Sequence, residues 1–416
     1  MHNLNKHKYI VHSGCSYGRL GLSLFENFEL IYHGYGKILN DNISVNKFVE
    51  SPNTILINVA ISSQGSDWQS DSTIYVVKKL LELGVKSENI YAVVEWSQWH
   101  RNYQPLPKIL INDILKKDIN KLQIKVDERE PSIMALNKTK EEYDVCNLLS
   151  EKLKIGKLEN KPSLSAHIGY IEDSFYLTPT HVDRTNIKNQ AILNWLDLSK
   201  EIVDREFEDT IIRRYLNNII RTQNYLKVNN VDYNFFHMQG CLTNWEENND
   251  VYQHKLTHDV SDVNSPYLFK DYKIIKNPNY KPQNKVETDI ENVYTKYKFL
   301  FEQLDLKNFW FYENEKYRRG GIDEWVIDKF SPCGFVSIND SFIKDGYIDL
   351  PTYGMHPIEF LYHLKWNEIA TNCKFLKLTD EYLKYIFNLI EEDYNSDSMT
   401  VNGLMISKKY FEQKTK

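Results

Sequence analysis

Short apolar runs, separated by polar and glycine-containing stretches, open the chain. Tyr9 to His12 is an apolar run that stops at Ser13-Gly14, the pattern of a buried strand entering a turn. Thr54 to Ile61 (TILINVAI) reads as a second buried strand and Ile90 to Trp96 (IYAVVEW) as a third. Between them, Asp67 to Leu83 is helical. Ile74, Val77, Leu80 and Leu81 recur at helical spacing, and Gly84 stands where a C-cap glycine belongs. Arg19 to Leu39 is a weaker helical stretch. Strands alternating with helices imply βαβ units and a parallel sheet.

The alternation stops after Arg101. Residues from about 102 to 190 are polar, mixed and interrupted by Pro105, Pro107, Pro131, Pro162 and Pro179, and read as an insertion with helical pieces. Regularity returns over Gln190 to Leu226, where Phe207, Ile211, Tyr215, Leu216, Ile219, Ile220 and Leu226 share a helical face. Asp232 to Met238 is a fourth strand, and 245–285 a second polar insertion or long loop. Val293 to Leu304 reads as a helix and Phe309 to Tyr312 as a fifth strand. His356 to Thr371 reads as a helix with Pro357 in its first turn, a favoured place for proline. One more amphipathic helix, Leu378 to Ile390, lies in the tail. The expected architecture is a three-layer α/β domain over 1–372, with a mainly parallel five-stranded sheet, two insertions (about 102–190 and 245–285) and a C-terminal helical extension, 373–416.

Composition narrows the function classes. With 42 % hydrophobic and 26 % charged residues the chain is an ordinary globular one, not a disordered or fibrous one. A net charge of −6 gives no bulk attraction to nucleic acid, and no apolar run is long enough to span a membrane. The N-terminus lacks the apolar core of a secretory signal. The 5 cysteines are scattered without a CxxC pair, which fits a reducing compartment and no zinc ribbon. A cytoplasmic or virion-associated location is expected, with no cofactor; oligomeric state is not legible.

Four segments carry candidate chemistry. Gly14-Cys15-Ser16-Tyr17-Gly18 lies between the first strand and the first helix, where glycines permit a cramped turn that exposes a serine hydroxyl at a helix start. It matches the G-x-S-x-G elbow, but too early in the chain for an α/β-hydrolase; an N-capping role for Ser16 is the structural alternative. Gly14, Gly18 and Gly21 do not form a dinucleotide-binding G-x-G-x-x-G. The second segment, Asn58 to Asp67, leads a strand through the small-residue loop Ser62-Ser63-Gln64-Gly65 into a helix. The third, Glu95 to Arg101, is dense in polar and aromatic side chains at the end of a strand, including Ser97 and Gln98. The fourth is Gly354-Met355-His356-Pro357, with His363 two helical turns further on; a histidine held by proline can act as a general base. Weaker signals are the pair His254 and His258, which lacks a zincin glutamate, and the basic cluster Lys316, Arg318, Arg319.

In their order and spacing these four segments resemble the SGNH/GDSL-type hydrolases, and more narrowly SGNH-like proteins of phages and marine bacteria. The resemblance covers roughly 8–101, 205–240 and 290–372 and implies a flavodoxin-like α/β fold. It implies Ser16 as nucleophile, His356 as the base that activates it, and the Ser16 N–H as one oxyanion donor. Gly65, or else Ser63, supplies a second donor. Gly14 shapes the turn, and Ser97 or Gln98 stands in for the third segment's usual Asn. The family's Asp three residues before its histidine is Tyr353 here, which leaves Asp349 to orient the ring. The implied activity is that of an esterase or deacylase, with an acylated sugar or polysaccharide as substrate and no metal. The alternative is a non-catalytic glycan-binding or virion-associated structural protein.

Overall fold

The structure is a computed structural model. It describes residues 3–16, 18, 22, 53–61, 64–97, 101, 125–126, 131–157, 168–176, 190, 193–194, 196–197, 208–238, 267–270, 273–276, 297–313, 319–323, 325, 335–336, 343–344, 347–348, 356–357, 359–370 and 375–376. Strands β1 (Lys8–Ser13), β2 (Thr54–Asn58) and β3 (Ile90–Trp96) fall where the apolar runs lie, and α1 (Ser66–Glu82) joins the last two. Then come β4 (Lys125–Val126), β5 (Ser132–Ala135), α2 (Lys140–Lys152), and β6 (Ile155–Lys157), β7 (Gly169–Ile171) and β8 (Ser174–Tyr176). Helix α3 (Glu208–Val228) leads into β9 (Asp232–His237), followed by β10 (Tyr267–Lys270) and β11 (Lys273–Lys276). After α4 (Lys298–Phe301) and β12 (Phe309–Trp310) come the two-residue strands β13 (Phe335–Val336), β14 (Ile343–Lys344), β15 (Tyr347–Ile348) and β16 (His356–Pro357). Helix α5 (Glu359–Ala370) is the last element.

The main sheet has 7 strands in the order β12-β9-β3-β1-β2-β5-β4. Neighbours from β12 to β2 run parallel, β5 is antiparallel to β2, and β4 is parallel to β5. The protein is therefore α/β, but its sheet is mixed and wider than the five strands the sequence suggested. The difference lies in the 102–190 segment. There Ser132–Ala135 pairs with β2 along its whole length, so this region extends the sheet as well as decorating it. Lys125–Val126 pairs with it in turn at the sheet's edge, and β6-β7-β8 form a separate three-stranded sheet. Helix α2 is fixed by a capping box, with Thr139 accepting from the Glu142 N–H and the Glu142 carboxylate reaching back to the Thr139 N–H.

Side chains alternate across each strand, so each strand serves two faces. Tyr9, Val11, Ile55, Ile57, Ala92, Val94, Trp96 and Phe235 join the apolar side chains of α1, α2 and α3 in one continuous core. The intervening positions, Ile10, His12, Leu56, Asn58, Val93, Glu95, Asn234 and Phe236, are also buried. On their side lies α5. Trp366 meets His12 edge-on, Tyr362 lies beside Phe236, and the Asn234 amide donates to the Ile369 carbonyl. Helices thus cover both faces. Further along the chain Phe375 reaches the opposite end of the strands, where its carbonyl accepts from Thr54 and its ring meets Tyr91 and the Lys8 ammonium. Helix α5 therefore runs from the carboxyl edge of the sheet toward the amino edge, antiparallel to the strands.

The start of α5 differs from the sequence expectation. His356 and Pro357 are not its first turn; they form β16, antiparallel to β13, and the helix begins at Glu359. A residue that precedes proline is pushed out of the helical region by clash with the proline ring, so His356 is extended and the helix starts later. The expected helix Val293 to Leu304 is described only from Tyr297, and its helical part is a single turn. Most of Arg19–Leu39, His254, His258, Lys316, Arg318 and Leu378–Ile390 lie outside the described residues. No described helix is long and apolar enough to cross a membrane.

Candidate functional site

The loops that leave β1, β2, β3 and β9 meet at the carboxyl edge, because parallel strands deliver all their C-termini there. Backbone bonds tie them together: Val59 N–H donates to His12 O, Ile61 N–H to Gly14 O, and Met238 N–H to Trp96 O. Ser16 sits at the start of a helical turn just past β1 and is buried, with 8 % exposure.

Behind this turn lies Glu95, fully buried at the end of β3. Its Oε1 accepts from the Cys15 thiol at 2.8 Å and from the Cys15 N–H at 3.4 Å; its Oε2 accepts from the Tyr362 hydroxyl of α5. Loss of hydration pushes the Glu95 carboxyl above the ordinary carboxylate value, while the bonds from Cys15 and Tyr362 and the charge of Arg101 pull it back in part. Burial also raises the Tyr362 phenol well above its usual value, and the Glu95 charge adds to the rise. The Cys15 sulfur further touches Met238 Sδ at 3.3 Å.

The two glycines of the opening motif have a packing reason. A Cβ at Gly14 would lie 3.1 Å from Glu95, and one at Gly18 would lie 2.1 Å from His12 Nε2. Glycine is needed because buried polar side chains press on the turn. His12 Nδ1 is 3.1 Å from the Val93 carbonyl and 3.2 Å from the Trp366 indole nitrogen, and its tautomer decides which it bonds. Nε2 has no hydrogen-bond partner. Burial pulls the His12 pKa down to about 3, so the ring is neutral at physiological pH.

The second and third loops lock into each other. Ser97 is buried and its hydroxyl donates to the Gln64 carbonyl, while its N–H faces Gln69 Oε1. Gln64 in turn donates to the Tyr176 carbonyl of β8. Gly65 caps α1 with its backbone against Arg101: a Cβ there would fall 1.6 Å from the Arg101 carbonyl oxygen. Asp323 is buried at the same edge, with its N–H donating to the Met238 carbonyl.

Of the residues singled out in the sequence, Gly14, Ser16, Gly65 and Ser97 are brought together at this edge. His356 is placed by its backbone in β16, two residues before α5. From Tyr362 the chain back to His356 spans at most about 15 Å, three helical rises plus three extended residues. Ser63, Gln98 and Asp349 lie outside the described residues. Glu95, Arg101 and Tyr362 belong to no motif that marks them individually in the sequence. A charged Glu inside the apolar run IYAVVEW was the available signal, since an unpaired buried carboxylate is costly. Among the described residues no group of three or more His, Cys, Asp or Glu could hold a metal ion. No family model matches the chain, and neither a curated protein nor a solved structure matches it.

Proposed function

We propose that the chain is an SGNH-type serine hydrolase on a flavodoxin-like α/β domain, an esterase or deacylase acting on an acylated sugar or polysaccharide. One observation carries the reading: the helix that follows His356-Pro357 is anchored by Tyr362 to Glu95, and Glu95 is bonded to Cys15, the residue before Ser16. That chain of contacts supports a meeting of the opening turn and the late histidine segment at one edge of the sheet. The parallel strands run in the spatial order β2-β1-β3-β9-β12, the order used by flavodoxin-like folds, which supports the fold assignment.

In this reading Ser16 Oγ attacks the acyl carbonyl while His356 takes its proton. The tetrahedral oxyanion is held by the Ser16 N–H together with Gly65 or Ser63, with Ser97 or Gln98 beside it. His356 then returns the proton to the departing sugar hydroxyl, and water releases the acyl group by the same steps in reverse. Asp349 orients the His356 ring. Replacing Ser16 or His356 with Ala is expected to lower hydrolysis of p-nitrophenyl acetate by at least about a thousandfold. Wild-type turnover in either variant rejects the assignment. A fluorophosphonate probe is expected to label Ser16.

A second reading, a non-catalytic glycan-binding or virion-associated module, draws on the locked loops. The Ser97 hydroxyl is committed to Gln64, and Gly65 faces a carbonyl oxygen, an acceptor rather than a donor. Glycan binding without fluorophosphonate labelling would favour it.

A further inference from the structure

We infer that the guanidinium of Arg101 forms an oxyanion-binding subsite at the carboxyl edge, taking a carboxylate or phosphate group carried by the ligand. The inference deepens the functional reading by naming a substrate class. It rests on this edge being the ligand site and not on hydrolysis.

Arg101 follows β3 by five residues, and its backbone is packed against Gly65 at the start of α1. Its Nε and Nη1 are shielded from solvent and have no hydrogen-bond partner. Among the described residues its charge acts on the Glu95 carboxylate, but the Glu95 oxygens are engaged by Cys15 and Tyr362. Asp67, at the start of α1, pairs with Arg214 and Asn218. Two described arginines of α3 are satisfied by the protein: Arg214 on Asp67, Arg221 on Asp71 and Ser70. Arg101 stands apart from them.

An arginine stays charged at every accessible pH and offers only donors. Each unmatched buried donor costs free energy that a hydrogen bond would recover, and a charged one costs more. A ligand oxyanion supplies both acceptor oxygens and the opposite charge, and guanidinium–carboxylate and guanidinium–phosphate pairs are among the stronger hydrogen-bonded contacts. An uncharged ester or sugar hydroxyl would meet the donors but leave the charge uncompensated.

The test is thermal unfolding of the full chain titrated with sodium phosphate and, separately, sodium glucuronate, each against sodium chloride at matched ionic strength. A saturable rise in Tm with at least one anion is expected in the wild type and should vanish in Arg101→Gln. Arg101→Lys should bind roughly tenfold more weakly, because the ammonium keeps the charge and loses the planar donor set. Without anion, Arg101→Gln should melt no lower than wild type, since it removes shielded Nε and Nη1 donors that no hydrogen bond satisfies. A phosphate response identifies a phosphoryl group as the ligand's anion, and a glucuronate response a sugar carboxylate. No saturable rise with either anion, an equal rise in Arg101→Gln, or a lower anion-free Tm in that variant overturns the inference. Fluorophosphonate labelling of Ser16 reports on hydrolysis separately, so each idea can fail while the other stands.

Discussion

The two faces of the sheet are made by the same strands, one residue out of phase, and they are built on different principles. The face under α1 and α3 presents Tyr9, Val11, Ile55, Ile57, Ala92, Val94 and Phe235, a nearly continuous hydrocarbon surface. The face under α5 places His12, Asn58, Glu95 and Asn234 among Ile10, Leu56, Val93 and Phe236, all of them buried. Apolar burial contributes stability wherever it occurs and in any orientation. Buried polar groups contribute only through particular partners, so the second face depends on where Tyr362, Trp366 and Cys15 lie. That dependence couples the carboxyl-edge loops to α5.

The comparison can be broken by truncation. Trp366→Ala removes the indole over His12 and should cost about 3–5 kcal/mol in urea unfolding, as for other buried tryptophans. Ile57→Val on the other face should cost only about 0.5–1.5 kcal/mol, because it removes a single methylene and no polar partner. Similar losses in the two variants would erase the distinction.

Titration sharpens it. His12 on the polar face and His237 beside Tyr215 on the other are both held near pKa 3 by burial. A histidine whose folded pKa is depressed destabilises the native state once the unfolded chain begins to bind protons, below about pH 6.5. Each should cost about 2 kcal/mol of stability between pH 7 and pH 5. His237→Gln should remove one share of that loss and leave the other. Glu95 has the opposite sign. Its folded pKa is raised, so stability falls as pH climbs from the ordinary carboxylate value through the folded one. Glu95→Gln should flatten that fall in unfolding free energy measured against pH, and an unchanged slope would show that Glu95 is not its source.

A smaller effect is expected at Gly18. Its substitution by Ala drives a methyl group into His12 Nε2 and should cost about 1–3 kcal/mol. Combining it with His12→Ala should recover part of that cost, the non-additivity expected of side chains in contact. The smallest effect belongs to Gly84, at the end of α1, where φ is +84° with open space around the Cα. There Ala should cost about 1 kcal/mol through backbone strain alone.

The strands of the parallel core could be read from the chain because they are buried on both faces and appear as unbroken apolar runs. Ile90–Trp96 is bounded in the structure as the sequence suggests, and β9 differs by one residue. Ser132–Ala135 was not legible. Four residues inside a polar, proline-bearing segment give no periodic signal, and only the open edge of β2 makes them a strand. The candidate site was legible as segments. Ser16, Gly65 and Ser97 stood out as small or polar residues where strands end. Their hydrogen-bond partners did not, since a contact leaves no local pattern.

The amino-acid order alone determined which stretches of the parallel core must be strands and that their polar ends would emerge at one edge, because apolar runs and turn residues act locally. Only tertiary structure decided that Glu95 is answered by Tyr362, 267 residues away, and that Nε and Nη1 of Arg101 are left without a hydrogen-bond partner. Partnership between buried polar groups depends on distances of a few ångströms, and those are set by how the helices pack on the sheet, not by the spacing of residues along the chain.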